Sequence, residues 1–146
     1  LGRHRPGARD RADACRGAAL LAALGPHDVG QAAVVAGGLV LAVEAIEGTD
    51  AMLDRVAALP RERRRASPPP SGVLVKIPKP GQDARLDAPA VGPETVRRAA
   101  RAGLRGIVGL AGGTQALDRA EIAAVADAHG LFVWGVEAAD LGLEAS

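Results

Sequence analysis

The stretch from Gly72 to Pro93, GVLVKIPKPGQDARLDAPAVGP, predicts a buried strand followed by a stiff loop. Val73 to Val75 is a short apolar run with β-branched residues, which is typical of a strand inside a sheet. Prolines and a glycine then stand at positions 78, 80, 81 and 89. Because proline fixes φ and has no N–H group, the chain cannot continue here as a central strand or a helix. We therefore expect a loop at the carboxyl end of a strand, where α/β domains usually bind ligands.

The predicted loop carries cations and carboxylates close together. Carboxylate oxygens are ligands of Mg²⁺, which takes only one or two of them from a protein and adds water and substrate phosphate. Lysine and arginine could then hold phosphate oxygens. A solvated surface loop with structural ion pairs would have the same composition, so the residues alone leave both interpretations open. The polar side chains concerned are Lys76, Lys79, Gln82, Asp83, Arg85 and Asp87.

A second acidic stretch joins a predicted strand, Leu39 to Val43, to a predicted helix, Ala51 to Leu59. Thr49 or Asp50 is placed to cap that helix, and Gly48 would let backbone amides approach an anion. The acids before the cap interrupt an apolar run, where burial without a partner would be costly. Three acids recur at intervals of three: Glu44, Glu47 and Asp50.

Two Gly-Gly pairs predict hairpins, because paired glycines accept the positive φ values of a type I′ turn. Gly37–Gly38 separates the apolar runs 32–36 and 39–43, and Gly112–Gly113 separates 107–110 from 115–117. Predicted helices, each with a capping residue or a glycine end, run over 10–24, 94–102 and 119–129, and a last strand covers 131–136. The fold class expected is α/β, with a mixed sheet of about six or seven strands and helices packed on it.

Composition limits the classes of function. The formal net charge is +1, with 18 Lys and Arg against 17 Asp and Glu, so the charge predicts no nucleic-acid partner. No apolar segment reaches the roughly 18 residues of a membrane-spanning helix. The lone Cys15 excludes an internal disulfide and is consistent with a reducing compartment. No P-loop, serine elbow or paired Cys and His spacing occurs, which leaves acids, amides and cations for chemistry.

We expect a single α/β domain over residues 10–137. Residues 1–9 would be a linker from a missing N-terminal domain, and residues 138–146 a polar tail. The Arg-rich and Pro-rich stretch 60–71 predicts a solvated, mobile internal linker, since repelling charges and polyproline cannot pack a core. A contact of its arginines with anionic lipid is a further hypothesis.

Two blocks of this sequence resemble the LpxI-type UDP-2,3-diacylglucosamine pyrophosphatases. They are KIPKPGQD at 76–83, continued by RLD at 85–87 and VGP at 91–93, and AVEAIEGTDA at 42–51. The resemblance extends from about Arg11 to Val136 and covers the C-terminal domain of the family. It implies metal-dependent hydrolysis of the pyrophosphate bond of UDP-2,3-diacylglucosamine to UMP and lipid X, a step of lipid A synthesis in Gram-negative bacteria.

The resemblance also implies cofactors, partners and place. Mg²⁺ or another divalent cation would be the cofactor, and the partners would be the UDP-linked diacylated glucosamine and a missing, Rossmann-like N-terminal domain. The expected location is cytoplasmic, with peripheral contact at the cytoplasmic face of the inner membrane as an open alternative. A homodimer is likewise left open.

Carried over to this chain, the resemblance assigns roles to the polar residues of both stretches. Asp83 is the first candidate for the catalytic or metal-holding acid. The other candidates are Asp87 and Glu47 for catalysis, Glu44 and Asp50 for metal binding, and Lys76, Lys79, Gln82, Arg85 and Thr49 for substrate binding.

Two rival interpretations remain. One is a non-catalytic module that binds a nucleotide sugar or phosphate without metal chemistry. The other is a structural interaction domain whose acids are caps and ion pairs, in which case Glu44, Asp83 and Asp87 would lie far apart.

Overall fold

The computed structural model describes residues 1–79 and 88–143, and every structural statement below refers to this part of the chain. These described residues contain four α-helices and seven strands. The helices are α1 (Ala8–Leu24), α2 (Thr49–Ala57), α3 (Pro93–Arg101) and α4 (Arg119–His129). The strands are β1 (Ala32–Ala36), β2 (Leu39–Val43), β3 (Val73–Lys76), β4 (Ala90–Val91), β5 (Gly106–Leu110), β6 (Gln115–Ala116) and β7 (Phe132–Val136).

The expected α/β fold with a mixed sheet is confirmed. Five strands form the main sheet in the order β2-β1-β3-β5-β7, and β4 pairs with β6 in a separate two-stranded sheet. β1 is antiparallel to both β2 and β3, whereas β3, β5 and β7 are parallel to one another. Helices connect the parallel strands, as a parallel crossover requires.

Helices cover both faces of the main sheet. α1 packs on one face, where Ala14, Ala18 and Leu21 join the core with side chains from β3 and β7. Gly17 lets α1 approach closely, because a Cβ atom at this position would stand only 2.8 Å from Val75 Cγ2. The other three helices pack on the opposite face, so β1 and β3 are buried from both sides and read as continuous apolar runs.

One of the two predicted hairpins forms. β1 and β2 pair antiparallel across Gly37 and Gly38, whose φ angles are 59° and 80°. The prediction around Gly112–Gly113 is wrong, because β6 pairs in parallel with β4 and not with β5. The chain turns away from the sheet there, since the amides of Gly113 and Thr114 both donate to the carbonyl of Leu110.

Two predicted helix starts are also wrong. α1 begins at Ala8 with Gly7 at the N-cap position, and the Asp10 carboxylate accepts from the Gly7 amide from within the first turn. α2 begins at Thr49 with Gly48 at the N-cap position, so neither Thr49 nor Asp50 caps it. Gly48 has a φ of 90°, which a glycine adopts at little cost, and the helix can therefore start at once.

The segment 60–71 is anchored more firmly than its composition suggests. Arg61–Arg64 forms a 3₁₀ turn, and Arg64 is buried with only 5% of its surface exposed. Its guanidinium donates to the carbonyls of Ala102 at 2.6 Å and Ser71 at 3.0 Å. One arginine of the charged run is therefore held inside the fold by hydrogen bonds to the backbone; the mobility of the segment stays a prediction.

No helix in the described ranges is long and apolar enough to cross a membrane.

Candidate functional site

At one end of the main sheet, the carboxyl ends of the parallel strands lie where the two acidic stretches begin. Lys76 at the end of β3 is in register with Ala32 at the start of β1 and with Gly109 of β5. Val43, which ends β2, pairs with Ala33 beside it. We call this end of the sheet the open end, and it includes Glu44, Lys76, Lys79 and Thr114. Ligands of α/β sheets usually bind at such an edge.

Glu44 is held rigidly at the open end. Only 8% of the residue is exposed, and its carboxylate accepts from the Gln31 amide at 2.8 Å and from Thr49 Oγ1 at 2.7 Å. Gly30 permits this arrangement, because a Cβ atom there would lie 2.1 Å from the carbonyl oxygen of Glu44. Each carboxylate oxygen has a second lone pair, so these bonds orient Glu44 and leave it able to accept a further ligand.

Lys76 lies within electrostatic range of the acidic stretch 44–50. Burial lowers the pKa of its ammonium group, while the nearby carboxylates of Glu44 and Asp50 act in the opposite direction and raise it. Its Nζ donates to the carbonyl of Ala90 at 2.7 Å. Lys76 is the first residue of the KIPKPGQD block, so this block begins beside the second acidic stretch.

A cavity of about 550 Å³ opens beside Glu44. Gly48 and Lys79 line it as well, so residues from both blocks face the same space. Lys79 Nζ lies 2.6 Å from Asp28 Oδ1, and Asp28 also lines the cavity. The cavity therefore offers both a carboxylate and an ammonium group to a ligand.

The remaining acids of the second stretch have partners of their own. Glu47 accepts from the Ala45 amide and pairs with Arg55 at 3.1 Å. Asp50 lies 3.7 Å from Arg98 and is exposed. Thr49 is buried, and its hydroxyl donates to Glu44, so its direct role is to fix that carboxylate. The roles predicted for Glu47, Asp50 and Thr49 stay predictions.

A second cavity, of about 440 Å³, lies at the same edge on the β5 side of β3. Gly109 and Thr114 line it, together with His4, Arg5 and Arg119. None of its described lining residues is acidic. The open end thus has hollows on both sides of the strand that leads into the KIPKPGQD block.

Four predicted site residues lie outside the described residues: Gln82, Asp83, Arg85 and Asp87. Within the described ranges, no group of three or more His, Cys, Asp and Glu side chains could hold a metal ion. Glu44 and Asp50, both near Lys76, supply carboxylate oxygens of the kind that Mg²⁺ prefers. The donor chemistry fits a magnesium ion, provided that the loop adds a ligand.

Three residues of the open end have no local sequence pattern that would have identified them. Asp28 stands in a turn with a φ of 54°, and the backbone of Gln31 binds Glu44. Thr114 Oγ1 donates to the carbonyl of Lys76 at 2.8 Å and accepts from the amide of Leu110 at 3.1 Å. Only a lone Asp after a helix and a Thr after two glycines are visible in the sequence.

Comparison with known proteins agrees with the sequence blocks. The family model described as the LpxI C-terminal domain matches residues 1–134 of this chain. The chain belongs to the LpxI C-terminal domain family. The predicted resemblance is therefore confirmed. A curated relative from Caulobacter vibrioides, named UDP-2,3-diacylglucosamine pyrophosphatase LpxI, is 51% identical over 137 residues.

The match to this relative covers 94% of the chain but only 49% of the relative. The chain thus spans about half the length of the curated LpxI protein that it matches. The rest of the relative has no counterpart in this chain.

Proposed function

We propose that this chain is the C-terminal half of an enzyme that hydrolyses the pyrophosphate bond of UDP-2,3-diacylglucosamine. Water would attack phosphorus and break the phosphoanhydride bond, giving UMP and lipid X for lipid A biosynthesis. Membership of the LpxI C-terminal domain family and the name of the 51% identical relative support this substrate. The reaction would take place on the cytoplasmic side of the membrane, where a divalent cation would be available.

The observation that carries the proposal is the meeting of two sequence blocks at the open end. Glu44 and Asp50 come from the first block, and both act on the ammonium group of Lys76, with which the second block begins. About thirty positions separate them in the chain, and Glu44 of the first block and Lys79 of the second line one cavity. Mixed charges at the carboxyl edge of a parallel sheet suit a phosphate and a cation bound together.

The side chains divide into two proposed tasks. Lys76 and Lys79, with Arg85 and Gln82 from the loop, would hold the oxygens of the diphosphate, since charge-assisted hydrogen bonds to phosphate are strong. Asp83 would accept the proton of the attacking water or hold the metal, with Asp87 and Glu47 as further acids. Glu44, already oriented by Gln31 and Thr49, would present its carboxylate without further ordering.

The proposed cofactor is Mg²⁺ or a similar divalent cation. Asp83, Asp50 and Glu44 would hold it, and when bound it would neutralise charge that develops on the phosphate oxygens. Protein carboxylates usually supply only one or two of the six positions, so not all three need to be direct ligands.

The direct test is Asp83→Ala in the longer protein that joins this chain to its N-terminal half. We expect UMP release to fall about a thousandfold, which corresponds to roughly 4 kcal/mol of transition-state stabilisation. Glu62→Ala is a matched control, because Glu62 is an exposed acid in the 61–64 turn and belongs to neither block. Near-normal turnover by a folded Asp83→Ala protein would overturn the assignment.

A magnesium titration separates the enzyme from the binding module. Calorimetry with UMP should show affinity that depends on Mg²⁺ if the cation is part of the site. UMP affinity indifferent to Mg²⁺, together with no UMP release from the substrate, would favour a module that only binds the nucleotide sugar.

A further inference from the structure

We propose that Asp28 is a positioning residue that holds the Lys79 ammonium group in place for the diphosphate of the substrate. The inference rests on the proposed function, because that function assigns Lys79 to the phosphate oxygens. Asp28 belongs to neither of the two sequence blocks, and it follows α1 after a short 3₁₀ turn, Gly25–His27. Its importance follows from its place in the cavity beside Glu44 and from the way its backbone is fixed.

The ion pair between Asp28 and Lys79 joins two distant parts of the chain. Lys79 Nζ lies 2.6 Å from Asp28 Oδ1, and 51 positions separate the two residues. The side chain of Asp28 is 82% exposed and that of Lys79 is 23% exposed. An ion pair with so exposed a member contributes little to stability, because water screens the attraction. The pair therefore restrains the lysine side chain more than it stabilises the fold.

The backbone at Asp28 holds the carboxylate in a defined direction. Asp28 has a φ of 54° and a ψ of 45°, and its amide donates to the Gly25 carbonyl at 3.0 Å. Aspartate and asparagine adopt this left-handed conformation more readily than most residues. Asparagine at position 28 should therefore keep the turn and lose only the charge.

The residues that follow Asp28 hold both sequence blocks beside the same cavity. The Gln31 amide donates to the Glu44 carboxylate at 2.8 Å, and the Gln31 carbonyl accepts from the Ile77 amide at 3.0 Å. The short segment that begins at Asp28 thus contacts the first block at Glu44 and the second at Ile77 and Lys79. Because the backbone two residues before Lys79 is already held, the Asp28 carboxylate directs a side chain whose base is fixed.

The charges of the cavity explain why the lysine benefits from a partner. Among the described residues that line it, Asp28 and Glu44 carry carboxylates and Lys79 carries the ammonium group. An ammonium group has three N–H donors, so a lysine bound to a carboxylate can also donate to a phosphate oxygen. Ordering the flexible lysine side chain before the substrate arrives lowers the entropy cost of binding.

Substitution of Asp28 in the longer protein gives opposite results for positioning and for simple electrostatics. Asp28→Asn removes a negative charge near the phosphates, which by electrostatics alone would strengthen the binding of an anionic substrate. If the carboxylate positions Lys79, KM for UMP release should instead rise about fivefold while kcat stays within about twofold, because Lys79 would hold the diphosphate in the ground state and the transition state alike.

The matched control is Glu121→Gln. It breaks another exposed ion pair, in which Arg97 and Glu121 lie 3.0 Å apart and line neither of the two cavities. KM should change by less than about 1.5-fold. Asp28→Gly removes the acceptor altogether and suits the left-handed backbone, so it should raise KM at least as much as Asp28→Asn does.

A double-mutant cycle shows whether Asp28 acts through Lys79. Lys79→Gln should raise KM by itself, and adding Asp28→Asn to it should change KM by less than about twofold, because coupled residues are not additive. Calorimetry with inorganic pyrophosphate at a fixed concentration of Mg²⁺ measures the same effect without turnover. Asp28→Asn should weaken pyrophosphate binding about fivefold, and Glu121→Gln should bind it as the wild type does.

An unchanged or lowered KM in Asp28→Asn would overturn the inference, and so would an unchanged KM in Lys79→Gln or additive losses in the double mutant. Failure of the proposed function looks different, because the wild-type longer protein would then release no UMP. Pyrophosphate affinity that falls in Asp28→Asn, and falls no further when Asp28→Asn is added to Lys79→Gln, would in that case still show that Asp28 positions Lys79.

Discussion

The two ends of the main sheet use buried charge in different ways. At the end opposite the open end, which we call the closed end, Asp13 accepts from the amides of Gly37 at 2.9 Å and Gly38 at 2.7 Å. Arg64 donates there to three carbonyls. At the open end, Glu44 also has hydrogen-bond partners, but it lines a cavity together with Lys79.

The difference teaches how to tell a structural charge from a functional one in this fold. A buried charged side chain that binds backbone groups holds a turn or a chain end in place. Its removal should lower the free energy of unfolding. A charge that is fixed on one side and faces a cavity on the other is preorganised for a ligand. Substitutions at the closed end should therefore affect folding, and those at the open end should affect activity.

Arg64→Ala should have the largest effect on folding. It would leave the carbonyls of Ala102 and Ser71 without their donor in a buried setting, and we expect a loss of about 3 kcal/mol in the free energy of unfolding. Urea unfolding measures it. Arg65→Ala is the matched control, since Arg65 is exposed and should change stability by less than about 0.5 kcal/mol. Equal effects of the two variants would contradict the assignment.

Lys76→Met should have the largest effect on activity. Removing the ammonium group, on which the carboxylates of Glu44 and Asp50 act electrostatically, should lower kcat/KM in the longer protein about a hundredfold, or roughly 2.7 kcal/mol. Arg63→Met removes an exposed cation from the segment 60–71 and should leave the rate within about twofold. A Lys76→Met enzyme of full activity would show that the open end is not the phosphate site.

Asp13→Asn tests the structural role of charge at the closed end, because asparagine has the same size as the buried aspartate that it replaces. One of its two acceptor oxygens becomes an NH₂ group that faces the Gly37 or Gly38 amide, so the free energy of unfolding should fall by about 2 kcal/mol. Activity per folded molecule should stay unchanged. Thermal unfolding and UMP release together check this, and a specific loss of kcat would connect the closed end to catalysis.

The smallest effect concerns pH. Because burial lowers the pKa of Lys76 below its ordinary value of 10.5, the folded protein binds this proton less tightly than the unfolded chain. Unfolding free energy should therefore rise with pH between the lowered pKa and 10.5, and Lys76→Met should lack this part of the rise. An NMR titration of the Lys76 side chain gives the pKa directly. A value above 10.5 would reverse the sign.

Elements with local signals could be predicted from the sequence. β1 and β2 have the expected bounds because apolar runs flank a Gly-Gly turn. α4 also has the expected bounds, since Asp118 accepts from the Glu121 amide at its start and Gly130 ends it with a φ of 73°. Here the residues that set the structure are neighbours in the chain.

Features that depend on distant residues could not be predicted. Arg64 reads as one arginine in a charged run, yet its partner Ala102 is 38 positions away. The pairing of β6 with β4 likewise depends on a turn whose hydrogen bonds the two glycines do not reveal. The sequence shows that these segments are polar, but it does not show which residues they contact.

In the candidate site, too, the sequence identified some residues and missed others. The two acidic stretches were recognised as blocks, and Glu44 and Asp50 do lie near Lys76. Thr114 and Asp28 were missed, since a single hydroxyl or carboxylate in a turn has many bland explanations. The roles of Asp83 and Asp87 stay predictions.

Binding of Mn²⁺ to the ¹⁵N-labelled chain tests the central claim most directly. A paramagnetic ion at the open end should broaden the amide signals of Glu44, Gly48 and Lys79 and leave those of Gly37 and Gly38 at the closed end sharp, and excess Mg²⁺ should restore the lost signals. Broadening confined to the closed end, or no broadening that Mg²⁺ reverses, would contradict a cation site shared by the two sequence blocks.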